Sequence, residues 1–214
     1  MKALAAARHA LYRFFGLVFL YPDPGRRARL RRLARALGAE KAVRGLAFFP
    51  VWRASWERLQ QNLGEGLEEV YLRIFDLTGR RGGCSLCESG YRDASWQAAA
   101  ELQREYREAG VQPKGPEPSD HLSVELEYLA VLVAREAREW EAGTAGVEEI
   151  LRRQRDFLRA HPCAWVPELV VRVREHDPTG VYAAAAEALE AFLEHEGDLT
   201  ELLLRQVGKV ELAR

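Results

Sequence analysis

The chain has 214 residues, 48% hydrophobic and 29% charged, with a net charge of −1 at neutral pH. That length carries one sizeable core burying roughly 70% of the unfolded surface, so no staple is needed for stability, and the composition excludes a disordered chain. The balanced charge leaves no global footprint for nucleic acid, and the odd number of cysteines (Cys84, Cys87 and Cys163) excludes a secreted disulfide framework and suits a reducing cytoplasm.

The first apolar run, "FFGLVFL" from Phe14 to Leu20, is too short to span a membrane. Arg8, His9 and Arg13 interrupt its approach, and "YPDPGRR" follows where a signal peptide would carry small residues for cleavage. It reads as an amphipathic helix ending before Pro22, with no export address. The next segment, "RRARLRRLARAL", sets Leu30, Leu33 and Leu37 at helical spacing beside Arg26, Arg27, Arg29, Arg31, Arg32 and Arg35. Nucleic-acid or anionic-membrane binding would suit such a run. The balanced total charge and the lack of interleaved aromatics favour a solvated helix face.

Leu67, Val70, Tyr71, Ile74 and Phe75 fall at i, i+3, i+4, i+7 and i+8, one face of a helix. Residues 76–93, "DLTGRRGGCSLCESGYRD", form a glycine-rich loop. Trp96, Leu102 and Tyr106 mark a further helix, with Asp93 as its predicted N-cap. Three prolines and two glycines in "GVQPKGPEPSD" (110–120) predict a hinge, dividing the chain into an N-terminal half 1–109, a linker 110–119 and a C-terminal half 120–214. Leu122, Leu126, Leu129 and Val133 form the next stripe, and helices follow around 146–160, 164–175, 179–195 and 198–207. Period-two alternation is nowhere evident. The predicted fold is all-α, a single-domain bundle of about nine to ten helices.

Chemistry-bearing patterns are few. There is no phosphate-binding glycine loop and no nucleophile elbow, and the adjacent pairs Glu68–Glu69 and Glu148–Glu149 point apart on a helix. Cys84 and Cys87 make a C-x-x-C without the βαβ setting of a redox motif. Zinc would need two more ligands; His161 and Cys163 in "HPC" are the available pair, but no spacing rule brings them near, so unligated thiols are expected and no metal or other cofactor. In "EPSDHLSVELEYLAVL" (117–132), Pro118 stops any preceding helix and Ser119 or Asp120 is suited to cap the next. His121 then sits in the first turn, where the helix dipole favours a neutral imidazole. Asp120 and His121 could instead be catalysts or metal ligands with the C-x-x-C loop, which would make a hydrolytic or metal-dependent enzyme.

This segment resembles the aspartate–histidine helix of the redox-enzyme maturation chaperones, the TorD, DmsD and NarJ family. "LEEVYLRIF" with "CESGYR", "RAHPCAWVPELVVRV" and "VYAAAAEALEAFLEHE" are similar to other family segments in the same order, so the resemblance covers essentially the whole chain. Cys84 and Cys87 depart from it, standing where the family usually has prolines or another loop sequence. The resemblance implies a cytoplasmic, non-enzymatic, all-helical protein without a cofactor. Its partner would be the catalytic subunit of a molybdopterin-containing oxidoreductase, bound through an N-terminal signal region of the twin-arginine type until folding and cofactor insertion are done. No nucleic acid and no stable membrane insertion are implied, and the proline-rich linker admits either a monomer or a domain-swapped dimer. A leader with a basic head and an apolar body calls for an apolar groove beside acidic groups. The candidate wall residues are Tyr71, Phe75, Tyr91 and Leu122, and the candidate acids are Glu88, Glu117, Asp120 and Glu125, with Asp120 and His121 at the centre of the site.

Overall fold

Helix starts and stops follow local chemistry closely. In a computed structural model that describes residues 2–64, 66–75, 83–92, 95–142 and 146–212, α1 (Lys2–Val18) turns its Leu11, Tyr12, Phe14, Phe15 and Val18 inward. The helix stops short of Pro22. Helix α2 (Pro24–Ala39) begins with a proline in its first turn and with the Asp23 carboxylate accepting the Arg26 N–H at 2.9 Å. A single turn, α3 (Lys41–Arg44), leads to α4 (Phe49–Asn62), which the apolar spacing of the sequence had not singled out. Its Trp52, Ser55 and Leu59 are buried at i, i+3 and i+7. Helix α5 (Leu67–Ile74) follows Gly66, whose φ of 98° lies in the left-handed region.

A short 3₁₀ turn (Glu88–Gly90) separates α5 from α6 (Ser95–Glu108). The expected cap Asp93 lies outside the described residues. Helix α6 closes with a left-handed glycine: Gly110 has φ of 64°, its N–H reaches Arg107 O at 2.9 Å, and Val111 N–H reaches Tyr106 O at 2.8 Å. Then come α7 (Leu122–Ala142), α8 (Gly146–Ala160), α9 (Pro162–His176) and α10 (Val181–Leu212). The last is one helix of 32 residues, where the sequence suggested a break between 195 and 198. Gly197 in mid-helix costs about 1 kcal/mol. On either side Glu196 accepts from Arg8, Thr200 Oγ1 donates to Glu196 O at 2.7 Å and Leu203 is buried, which holds the helix through the glycine.

Among the described residues there is no strand, and the fold is an all-α single-domain bundle. The most extensive helix contact is α1 on α7, and α10 packs against α4, α8 and α9. Helices from both sides of the 110–119 segment therefore share one core. Phe15 stacks on Phe192 at 5.4 Å and Tyr12 meets the same ring edge-on at 4.8 Å, fastening α1 to α10.

A buried ionic cluster makes the second fastening. Arg8 donates through Nε to Glu196 at 2.9 and 3.0 Å, through Nη1 to Glu136 at 2.6 Å, and through Nη2 to Gln154 Oε1 at 2.6 Å. Gln154 in turn donates to Glu136 at 2.9 Å. Burial works against the Arg8 charge, but Glu196 and Glu136 more than offset it and hold its pKa above the ordinary guanidinium value. One side chain thus links α1 to α7, α8 and α10. In the sequence Arg8 reads only as an interruption of an apolar run.

Candidate functional site: a buried latch beside a polar-rimmed hollow

The Asp120–His121 pair is a latch between the loop at 84–92 and the start of α7. Leu122 N–H donates to Leu86 O at 2.8 Å and Glu88 N–H to Asp120 O at 2.9 Å, which sets Cys87 opposite His121 in a single antiparallel bridge. The Asp120 carboxylate adds a hydrogen bond from Ser89 N–H at 3.1 Å. Ser119 Oγ donates to Ala99 O at 3.2 Å, and Tyr106 OH donates to Ser119 O at 2.9 Å, so α6 is tied to the same point.

The expected capping by Ser119 or Asp120 is corrected here. Both side chains are spent on distant backbone, and His121 itself caps α7, with Nδ1 accepting the Ser123 N–H at 3.2 Å and lying 2.8 Å from Ser123 Oγ. A ring nitrogen that accepts a backbone N–H carries no proton, so the imidazole is neutral with its proton on Nε2, 3.9 Å from the Glu117 carboxylate. Burial pushes the His121 pKa below its ordinary value, and the nearby Glu117 and Asp120 charges only partly oppose this.

Behind the latch lies a second buried layer. Glu88, 0% exposed, pairs with Arg92 and meets His161 Nδ1 at 3.0 Å. Glu125, also 0% exposed, accepts from Trp165 Nε1 at 3.2 Å, while its Oε1 has no partner. Burial first and the Glu88 charge second push the Glu125 carboxyl well above the usual carboxylate range. Tyr91 packs on Trp165 at 5.0 Å and is covered by the Arg172 guanidinium at 4.5 Å.

These positions correct most of the sequence-level groove. Tyr71 and Phe75 join Tyr182 in an aromatic cluster, with Tyr71 OH donating to Phe19 O at 3.2 Å, and Leu122 is fully buried. A stripe at helical spacing has packed into the core, its commoner destiny. Glu88 and Glu125 are internal rather than rim acids, and Tyr91 is half-buried beneath Arg172. Asp120 and His121, each 3% exposed, do not face solvent. Glu117 does.

The cysteines remain apart from any ligand set. Burial pushes the thiols of Cys84 and Cys163 up to about 11 and that of Cys87 up to about 12. His161 is engaged by Glu88, and no group of three or more potential ligands is gathered among the described residues.

What the latch does border is a hollow of about 200 Å³ between α1, α2, residues 113–117 and the first turns of α7. Gly16, Leu17, Leu20 and Val124 give it apolar surface. Ser123, bonded to His121, and Glu117, facing the same ring, both line it, so the latch lies directly beneath. Glu127 is a second acid, and Arg13, Arg26, Arg29 and Lys114 supply cations. Sequence reasoning missed Arg13, Arg29, Lys114 and Glu127 as site residues. The available signal was slight: Arg13 lies four residues before Leu17 and shares its helix face.

The family model described as nitrate reductase delta subunit matches residues 22–171, and the chain belongs to that family, the NarJ/TorD group, a family of chaperones rather than enzymes. It is 35% identical over 117 residues to the chaperone protein TorD of Aeromonas salmonicida, covering 54% of this chain and 53% of that one. It is 33% identical over 159 residues to the selenate reductase assembly chaperone protein of Thauera selenatis (69% and 81% covered) and 32% over 136 residues to the chlorate reductase assembly chaperone protein of Ideonella dechloratans (58% and 70%). The chain thus spans about half the length of the first of these relatives. With relatives named as chaperones, the reading of Asp120, His121 and the cysteines as a hydrolytic or metal-dependent centre falls away.

Proposed function

We propose that this chain is a cytoplasmic assembly chaperone for the catalytic subunit of a molybdopterin-containing oxidoreductase. It would hold that subunit's N-terminal, twin-arginine-type signal region while the subunit folds and takes up its cofactor, before export or membrane attachment. Family membership and relatives named for selenate and chlorate reductase assembly support the client class. None of the described helices is long and apolar enough to cross a membrane, as suits a protein that receives its client before export.

The observation that carries the reading is the contact between motif and hollow. His121 acts as a positioning residue, meeting Ser123 through its ring, Val124 N–H through its carbonyl and Glu117 across 3.9 Å at the wall where a peptide can lie, and Asp120 anchors it by tying the motif to Ser89. An apolar leader side chain settling on Leu17, Leu20 and Val124 contributes about 1.5–3 kcal/mol. A leader arginine pairing with Glu117 or Glu127 contributes about 0–1 kcal/mol at this exposure. Affinity therefore comes from the apolar body, and orientation and partner choice from the acids. Calorimetry with a synthetic twin-arginine leader peptide of a molybdopterin oxidoreductase tests it. Val124→Asp should weaken binding at least tenfold and Glu117→Gln with Glu127→Gln several-fold, both with unchanged helical circular dichroism; full affinity in both variants would place the receptor elsewhere.

A further inference from the structure

The rim of this hollow is unsuited to a purely basic peptide. Four cations, Arg13, Arg26, Arg29 and Lys114, face two acids, Glu117 and Glu127. The signs are unevenly distributed: α1 and α2 contribute only arginines and α7 only Glu127, while the 113–117 segment carries both Lys114 and Glu117. Arg26 is engaged with Asp23 at 3.2 Å and Tyr21 O at 2.9 Å, but Arg13, Arg29 and Lys114 are exposed and make no ion pair or hydrogen bond among the described residues. Elsewhere on α2, Arg27 is occupied by Glu68 and Gly64 O and Arg31 by Leu63 O, while Arg32 and Arg35 do not line the hollow. Among the described residues, three cations without a partner and two acids, one of them facing only the neutral His121 ring, thus share a hollow with apolar surface.

Resting on the leader reading above, we infer that the hollow selects a leader segment of mixed charge, with arginine directed at Glu117 and Glu127 and a carboxylate of the same segment directed at Arg13 and Arg29, an apolar side chain lying between them. A segment with arginines alone would gain at the acids and lose against the cations, all of them within about one Debye length in a hollow this small. Like-charge juxtaposition is how such an interface rejects wrong partners, and complementary charge is how it fixes the register of the right one. The hollow's roughly 200 Å³ admits a few side chains rather than a whole helix, so the selection acts on a short stretch of sequence.

The test uses the full-length protein and two synthetic leader peptides with adjacent arginines and a leucine-rich body, identical except that two glutamates in one are glutamines in the other. The wild-type chain should bind the glutamate peptide at least fivefold more tightly at low salt, with the margin shrinking as salt is added. Arg13→Gln with Arg29→Gln should abolish the margin, and Glu117→Gln with Glu127→Gln should weaken both peptides alike. Equal binding of the two peptides, or tighter binding of the glutamine peptide, overturns mixed-charge selection while leaving the leader reading intact. Failure of the wild-type chain to bind either peptide, or a natural twin-arginine leader of a molybdopterin oxidoreductase, overturns both.

Discussion

Asp120 shows how a side chain can be conspicuous in a sequence and still serve an unexpected partner. Its place two residues before α7 suggested a cap, yet its carboxylate holds Ser89 N–H, 31 residues away. Nothing local in the sequence encodes that reach. Asp120→Ala should therefore cost about 1–3 kcal/mol in urea unfolding, the range for losing a part-buried hydrogen bond to a charged acceptor. His121 and Glu125 give opposite pH signatures. Burial lowers the His121 pKa, so below the ordinary imidazole value of about 6.5 the unfolded chain binds the proton more readily, and stability falls as pH drops through that window. His121→Asn should flatten the decline between about pH 7 and 5. The Glu125 pKa is raised, so the folded state keeps a proton that the unfolded chain releases above about pH 4.3, and stability erodes as pH rises. Glu125→Gln, retaining the acceptor for Trp165, should raise the melting temperature at pH 8 more than at pH 4; a drop at pH 8 would contradict this account of the unpartnered oxygen.

Helices whose ends are written in local chemistry were legible. Asp23 and Pro24 start α2, and the stripe of Leu67, Tyr71 and Ile74 defines α5. Helix α4 escaped notice although Pro50 and the spacing of Trp52, Ser55 and Leu59 announce it, because Phe48 at its start offers no capping side chain. Helix α10 was cut in two on paper because Gly197 looks like punctuation, and only packing against α8 shows why it is not. The candidate groove failed for a related reason: periodicity reports that a face is apolar, without reporting whether helix or ligand covers it. The four-helix junction at Arg8 lies beyond sequence reasoning, since its partners are 128 to 188 residues distant. Arg8→Met should destabilise the protein by about 3–5 kcal/mol, because Glu136 and Glu196 are left buried without their cation. For a chain this size that is a fall in melting temperature of roughly 6–20 °C. Adding Glu136→Gln and Glu196→Gln should recover a large part of it, which a mere packing role for Arg8 would not predict.

The segment at 110–119 invites division into two halves, but α1 packs on α7 and α4 on α10 across it. One cooperative transition follows. Single-tryptophan variants retaining Trp52 or Trp165, both buried and drawn from opposite halves, should show coincident urea midpoints; separate midpoints would mean that the halves unfold independently. The same interleaving has a bearing on how the protein is made. The guanidinium at position 8 meets its carboxylate at position 196, so α1 leaves the ribosome long before its mate exists. Until α10 is made, Tyr12 and Phe15 lack their Phe192 partner as well, so this part of α1 cannot close before the chain has reached that helix. The cation of the four-helix junction is thus made first, and its two acids join it in turn, Glu136 before Glu196.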